Sequence, residues 1–208
     1  MGGDGGLAAR HRETGTGEPE PLSREQELDL IDVLRGRWPE EFGLGDELWS
    51  RHGVAALVHR LYGLTVSPSE VGRYLRAWGL WAREPTERAC ALCASAVSRW
   101  METDYPAIAR SAQEHRAELF WVGRTRLHGV SPAADVLSAI STRRRMRFMI
   151  MTPSVDPPLP RDFLLRLSGS DGRTAHVVVD GSWARRDLPR RIPRQIVLHP
   201  LPSCARGG

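Results

Sequence analysis

The sequence predicts an α+β chain of multi-domain organisation: an all-α N-terminal part built around a helix-turn-helix, then a smaller α/β part. Three observations predict it. Apolar residues recur at i, i+3, i+4 and i+7 through the first half, the period of helices with one buried face. After residue 117 short apolar runs such as HVVVD (176–180) replace that period, and such runs bounded by turn residues are strands. Two helical segments of about a dozen residues are joined by a tight glycine-containing link, the helix-turn-helix pattern.

Residues 1–22 are rich in Gly, Glu, Pro, Thr and Arg, and read as a disordered leader. REQELDLIDVLRG (24–36) reads as a helix with Leu28, Ile31 and Leu34 on its apolar side. WPEEFGLGDELWS (38–50) reads as a polar connector. Ser50 then caps RHGVAALVHRLYG, whose stripe is Val54, Leu57, Val58 and Leu61 and whose stop is Gly63. Leu64 to Val66 is a short extended piece.

SPSEVGRYLRAWG (67–79) carries a full set of helix signals. Ser67 is the N-cap, Pro68 the first helical residue, Glu70 the capping-box partner and Gly79 the C-cap. Val71, Tyr74, Leu75 and Trp78 form one stripe; Ser69, Gly72, Arg73 and Arg76 form the opposite one. Residues 87–115 read as a long helix interrupted near Pro106. Glu118–Val122 and Arg147–Met151 read as strands, and Val136–Ile140 as strand or helix. PSVDPPLP is a loop, Asp162–Leu167 a short helix, and 176–180 and 195–198 are the last strands. The expected division is a leader at 1–22, a DNA-binding unit at 23–86, a linker helix at 87–115 and a final domain at 116–208.

Every basic residue among the 29 is arginine, and the net charge is +4. The charge is unevenly placed. Residues 24–47 hold 3 arginines against 8 acids, residues 48–83 hold 5 against 1, and residues 116–208 hold 16 against 7. Positive charge therefore sits on the helix-turn-helix and on the α/β half. Arginine suits bidentate contacts to phosphate and guanine. Cys90 and Cys93 form a C-x-x-C, but no second ligand pair accompanies them, so a zinc site is not expected and two core-facing thiols one turn apart are. The odd cysteine count, with Cys204, and the lack of a signal peptide point to a reducing cytoplasm. No apolar run is long enough to span a membrane.

The candidate DNA-binding residues are Ser69, Gly72, Arg73 and Arg76 on the second helix of the pair, with Arg60 on the first. In a major groove the arginines meet base edges or phosphates and Gly72 allows close backbone approach; the competing reading is an ordinary solvated face. Arg143, Arg144, Arg145 and Arg147 either grip phosphate or form a solvated turn. Asp180 ends a buried strand, where metal ligands occur, yet one aspartate cannot hold the two cations of phosphoryl transfer, and capping the next helix near Trp183 is the simpler role.

The stretch GDELWSRHGVAALVHRLYGLTVSPSEVGRYLRAWGLWAREP resembles the winged helix-turn-helix of mariner-like insertion-sequence transposases. The resemblance rests on Leu48-Trp49, Val54-Ala55, Leu57-Val58, Gly63, Ser67, Val71, Arg73, Leu75-Arg76 and Gly79. More weakly, ELFWV, RMRFMIM, DFLLRL and HVVVD resemble elements of that family's RNase H-like catalytic domain, in order. The resemblance implies a triad of acids. Its first place falls on Gly123, followed by Arg124; its second on Asp180; its third on Cys204. It also implies a truncated domain, since the helix after the third acid is absent. The expectation is a duplex-DNA-binding protein without catalytic residues or cofactor, with a second copy of the chain as a further candidate partner. The alternative is an active Mg²⁺-dependent nuclease in which Asp180 recruits Asp135 or Glu118.

Overall fold

The computed structural model describes residues 22–80, 85–127, 134–152, 159–169, 172–181, 189 and 192–202, with 85–93 and 127 described by their backbone alone. The expected leader, the 153–158 loop, Trp183, Cys204 and the side chains of Cys90 and Cys93 lie outside the described residues. Leu22, assigned to the leader, is buried, and its N–H donates to Tyr74 Oη at 2.8 Å.

The described chain is a helical N-terminal region followed by a mixed sheet. The helices are α1 (Arg24–Gly36), α2 (Arg51–Tyr62), α3 (Pro68–Ala77), α4 (Pro85–Thr103), α5 (Tyr105–Glu114) and α6 (Arg161–Ser168). The strands are β1 (Glu118–Leu127), β2 (Ala134–Ser141), β3 (Met146–Met151), β4 (Ala175–Val179) and β5 (Ile196–Pro200). Their spatial order is β3-β2-β1-β4-β5. The β1-β2-β3 strands form an antiparallel meander; β4 runs parallel to β1, and β5 parallel to β4.

Side-chain alternation along the strands sorts the sheet into two covered faces. One face carries Val136, Phe148 and Ile150, buried against Leu30, Ile31, Leu34 and Leu57 of α1 and α2. Further along the same face, Leu119 and Val178 meet α4 and α5, with Trp121 edge-on to Trp100 at 6.2 Å. The opposite face carries Phe120, Val122, Leu137 and Val177 and is covered by Phe163, Leu164 and Leu167 of α6. The helical region and the sheet thus share one apolar cluster rather than meeting through a polar seam.

Several expectations change. The 38–50 connector is not simply polar. It holds a 3₁₀ turn at Pro39–Phe42 and ends in Leu48 and Trp49, both buried. Trp49 pairs with Phe148 as a β-bridge, its N–H and C=O exchanged with those of Phe148 at 3.1 and 2.9 Å. Leu48 falls in the α6-side cluster and Trp49 in the α1-side cluster, as alternation requires. On α1 the buried residue is Leu30 rather than Leu28, which is 43% exposed because the helix presents its 30-31-34 stripe to β3. Leu61 is likewise exposed on α2. The 87–115 helix breaks at Asp104, between α4 and α5, with Pro106 in the first turn of α5, where its missing N–H costs nothing. Val136–Ile140 is strand, within β2.

Two predictions follow from this packing. Trp49→Ala removes a fully buried indole that also donates to Arg37 C=O at 3.0 Å; the expected loss is about 3–5 kcal/mol in urea unfolding. His176 and His199, ring nitrogens 3.0 Å apart, are both held below the ordinary imidazole pKa, first by burial. The unfolded chain therefore binds more protons in mildly acidic solution. Stability is expected to be full above about pH 6.5 and to fall as pH drops below it. A His199→Asn variant, melted between pH 7.5 and 5, should show a shallower decline.

Candidate nucleic-acid interface

α3 is built as its sequence requires. Ser67 Oγ accepts the Glu70 amide at 3.2 Å and Glu70 Oε2 accepts the Ser67 amide at 2.7 Å, a reciprocal capping box. Those Ser67 bonds, with a smaller contribution from Arg73, hold the Glu70 carboxyl below the usual carboxylate range. The helix ends in a paired closure: Leu80 N–H returns to Leu75 C=O at 2.6 Å and Gly79 N–H to Arg76 C=O at 2.9 Å. Gly79 takes φ 76°, a left-handed conformation that glycine adopts without a Cβ penalty.

The back of α3 is locked down. Val71, Leu75 and Trp78 are buried, and the Tyr74 and Trp78 rings lie 5.7 Å apart. Trp78 Nε1–H donates to Glu27 of α1 at 2.9 Å, and Tyr74 Oη accepts from Leu22. With its apolar stripe inward, the helix turns Ser69, Arg73 and Arg76 outward, all exposed. Arg73 also lies 3.3 Å from Glu70, so this side of the helix has a carboxylate in reach that the stripe pattern did not show.

Gly72 is not on that surface. It is buried, and a Cβ there would meet the Arg51 guanidinium of α2 at 3.4 Å. Arg51 packs across α3 at this point. Arg51 is the residue that sequence reasoning missed; a glycine in the middle of a well-capped helix was the available signal. Arg60, near the end of α2, donates to Phe42 C=O at 2.8 Å and so braces the connector while remaining exposed. Ser69, Arg73 and Arg76 share one helix face; Arg60 belongs to a different contact.

In the sheet, Trp121 of β1 is level with Val178 of β4. Two residues further along these parallel strands stand Gly123 and Asp180. These are the two places that the transposase resemblance marks, and one of them, Gly123, has no side chain. Asp135, fully buried, lies 3.1 Å from Arg126 and 3.6 Å from Arg124. Its register partner is Arg126, which puts it on the α6 side of the sheet. Glu118 alternates to that same side, pairs with Arg145 at 3.1 Å, and sits five residues before Gly123, about 16 Å down the strand. Among the described residues no three His, Cys, Asp or Glu side chains gather in a way that fits a metal ion, and no helix is long and apolar enough to cross a membrane.

Residues 45–104 match the family model of the winged helix-turn-helix. The chain therefore carries a winged helix-turn-helix domain, an architecture that binds DNA. The match opens in the connector just before Trp49 and closes at Asp104, where α4 gives way to α5. No curated protein and no solved structure matches the chain.

The cap makes a specific claim. Ser67→Ala leaves the Glu70 amide in the first turn of α3 without its cap and is expected to cost about 1 kcal/mol in chemical unfolding. Ser67→Asp, which caps equally well, should recover most of it.

Proposed function

We propose that this chain is a sequence-preferring duplex-DNA-binding protein derived from a mariner-like insertion-sequence transposase, without strand-cleavage activity. One observation carries the binding half of this reading. α3 is fastened by its apolar back to α1 and α2 and turns Ser69, Arg73 and Arg76 outward, within the segment that matches the winged helix-turn-helix. A recognition helix works in this way: a rigid backbone aims a few side chains at base edges, and arginine pairs in bidentate fashion with guanine.

Descent from a transposase is supported by the motif resemblance and by the sheet. An antiparallel meander extended by two parallel strands, with helices on both faces, is consistent with an RNase H-like domain at 116–208 following the linker at 87–115. The level placement of Trp121 and Val178, each two residues before Gly123 and Asp180, is consistent with it too. Loss of cleavage follows from chemistry. In-line displacement with two metal ions needs several carboxylates converging on the scissile phosphate. The first place that the resemblance marks is Gly123, without a side chain, and the two alternative acids, Asp135 and Glu118, lie on the α6 side of the sheet against arginines. No catalytic metal is assigned.

Arg73→Ala/Arg76→Ala, assayed on sites selected from a random duplex pool, should lose about 1–3 kcal/mol per base-reading arginine. Its binding to random duplex should fall much less. Equal binding of variant and wild type to the selected site would remove the assignment of α3. On supercoiled plasmid with Mg²⁺ or Mn²⁺, wild type and Asp180→Asn should both leave the substrate unnicked. Nicking by wild type that disappears in Asp180→Asn would instead establish a working metal site.

A further inference from the structure

A cleft of about 1150 Å³ opens at the edge of the sheet where β1 and β4 begin and β2 turns into β3. Among the described residues its wall carries six arginines (116, 143, 145, 147, 166 and 173) against the carboxylates of Asp46, Glu47 and Glu118. Three of these arginines have structural duties. Arg145 pairs with Glu118 at 3.1 Å, Arg147 with Asp46 at 3.0 Å, and Arg166 with Glu40 at 2.7 Å. Arg116 and Arg143 are exposed and have no ion pair among the described residues, and the same holds for Arg144 in the turn between Arg143 and Arg145.

The backbone at two of these positions is unusual. Arg116 has φ 51° and Arg144 φ 59°, and they are the non-glycine residues with positive φ among those described. Arg116 follows α5, where Ala117 N–H closes on Ala112 C=O at 2.8 Å and Arg116 N–H on Gln113 C=O at 3.0 Å. That is the closure which Gly79 completes after α3, and glycine is its ordinary residue. Arg144 closes a tight hairpin turn, its N–H on Ser141 C=O at 2.8 Å. A left-handed arginine is strained where glycine is not. A chain with 20 glycines, whose codons are as GC-rich as those of arginine, does not lack the easier choice. Arg116 lines the cationic cleft and Arg144 sits in the turn between its lining residues Arg143 and Arg145; arginine at both positions, doing no structural pairing, indicates that the charge itself is in use.

We propose that this cleft grips the phosphodiester backbone of duplex DNA through Arg116, Arg143 and Arg144, a sequence-independent anchor separate from the base-reading face of α3. The proposal rests on the DNA-binding reading above and adds a second contact to it. Phosphate contacts position a protein on a duplex without reading its sequence, and each one released shows as salt dependence.

The test uses the full chain and the variant Arg116→Gly/Arg143→Gln/Arg144→Gly, with fluorescence anisotropy on selected and random duplexes across a salt series and with thermal melting. The expected result has three parts. The slope of log K against log salt becomes shallower by nearly 3, from roughly 0.9 for each of three phosphate contacts. Affinity for selected and random duplexes falls by the same factor. The melting temperature holds or rises by a few degrees, because glycine relieves the left-handed strain. An unchanged slope, with Arg73→Ala/Arg76→Ala still weakening the selected site, overturns the cleft and leaves α3 standing. A lower melting temperature accompanying the loss of binding overturns it too, by making the arginines structural. Wild type that binds no duplex overturns both readings.

Discussion

The pairing of Trp49 with Phe148 is the constraint on which the arrangement depends. β3 is one of the two outer strands of the described sheet, and an outer strand exposes a row of unpaired amides and carbonyls. The connector lies along it and supplies one exchanged pair of hydrogen bonds. Because side chains alternate there, Leu48 enters the core on one side of the sheet and Trp49 the core on the other. Ser50 follows at once as the N-cap of α2, accepting the Gly53 amide at 3.0 Å and donating to Asp46 at 2.5 Å. The helix-turn-helix therefore starts from a point tied to the sheet, not from a free linker.

Arginine does much of the fastening around that point. Arg166 of α6 stacks 3.9 Å over the Trp38 ring and reaches Glu40 and the Glu47 carbonyl. Arg147 reaches Asp46. A planar guanidinium can hold a carboxylate, a carbonyl and an aromatic face together, which an ammonium does poorly. This use of arginine differs from the one proposed at α3 and at the cleft, where the guanidinium groups face solvent.

The acids follow the same logic. Asp135 is buried, and a buried carboxylate is tolerable only beside opposite charge, which Arg124 and Arg126 supply. That pairing gives it a structural role. Where β1 and β4 run parallel, Trp121 stands level with Val178, and the residue two places on in β1 is a glycine.

Local signals were legible in the sequence because they depend on neighbours within a turn or two. The N-caps Ser50 and Ser67, the glycine stop at Gly63 and the limits of α1 are all of this kind, and so is the buried stripe of α3. Strand positions were legible from runs of apolar residues, though β1 extends past Val122 to Leu127 because its partner β2 continues the ladder. What the tertiary structure alone decided were relations between distant segments. Nothing near Trp49 announces a bridge to a residue 99 positions away. Nothing near Gly72 names Arg51 as the group that fills its space, and the pattern of Leu28 and Leu30 does not say which of them meets β3. What the sequence by itself carries is a capped helix with a cationic face; its rigid placement, the pairing of Asp135 with Arg124 and Arg126, and the gathering of arginines from the turn after α5, the β2–β3 hairpin and α6 around one cleft come from packing, because only packing brings together side chains that the chain itself keeps apart.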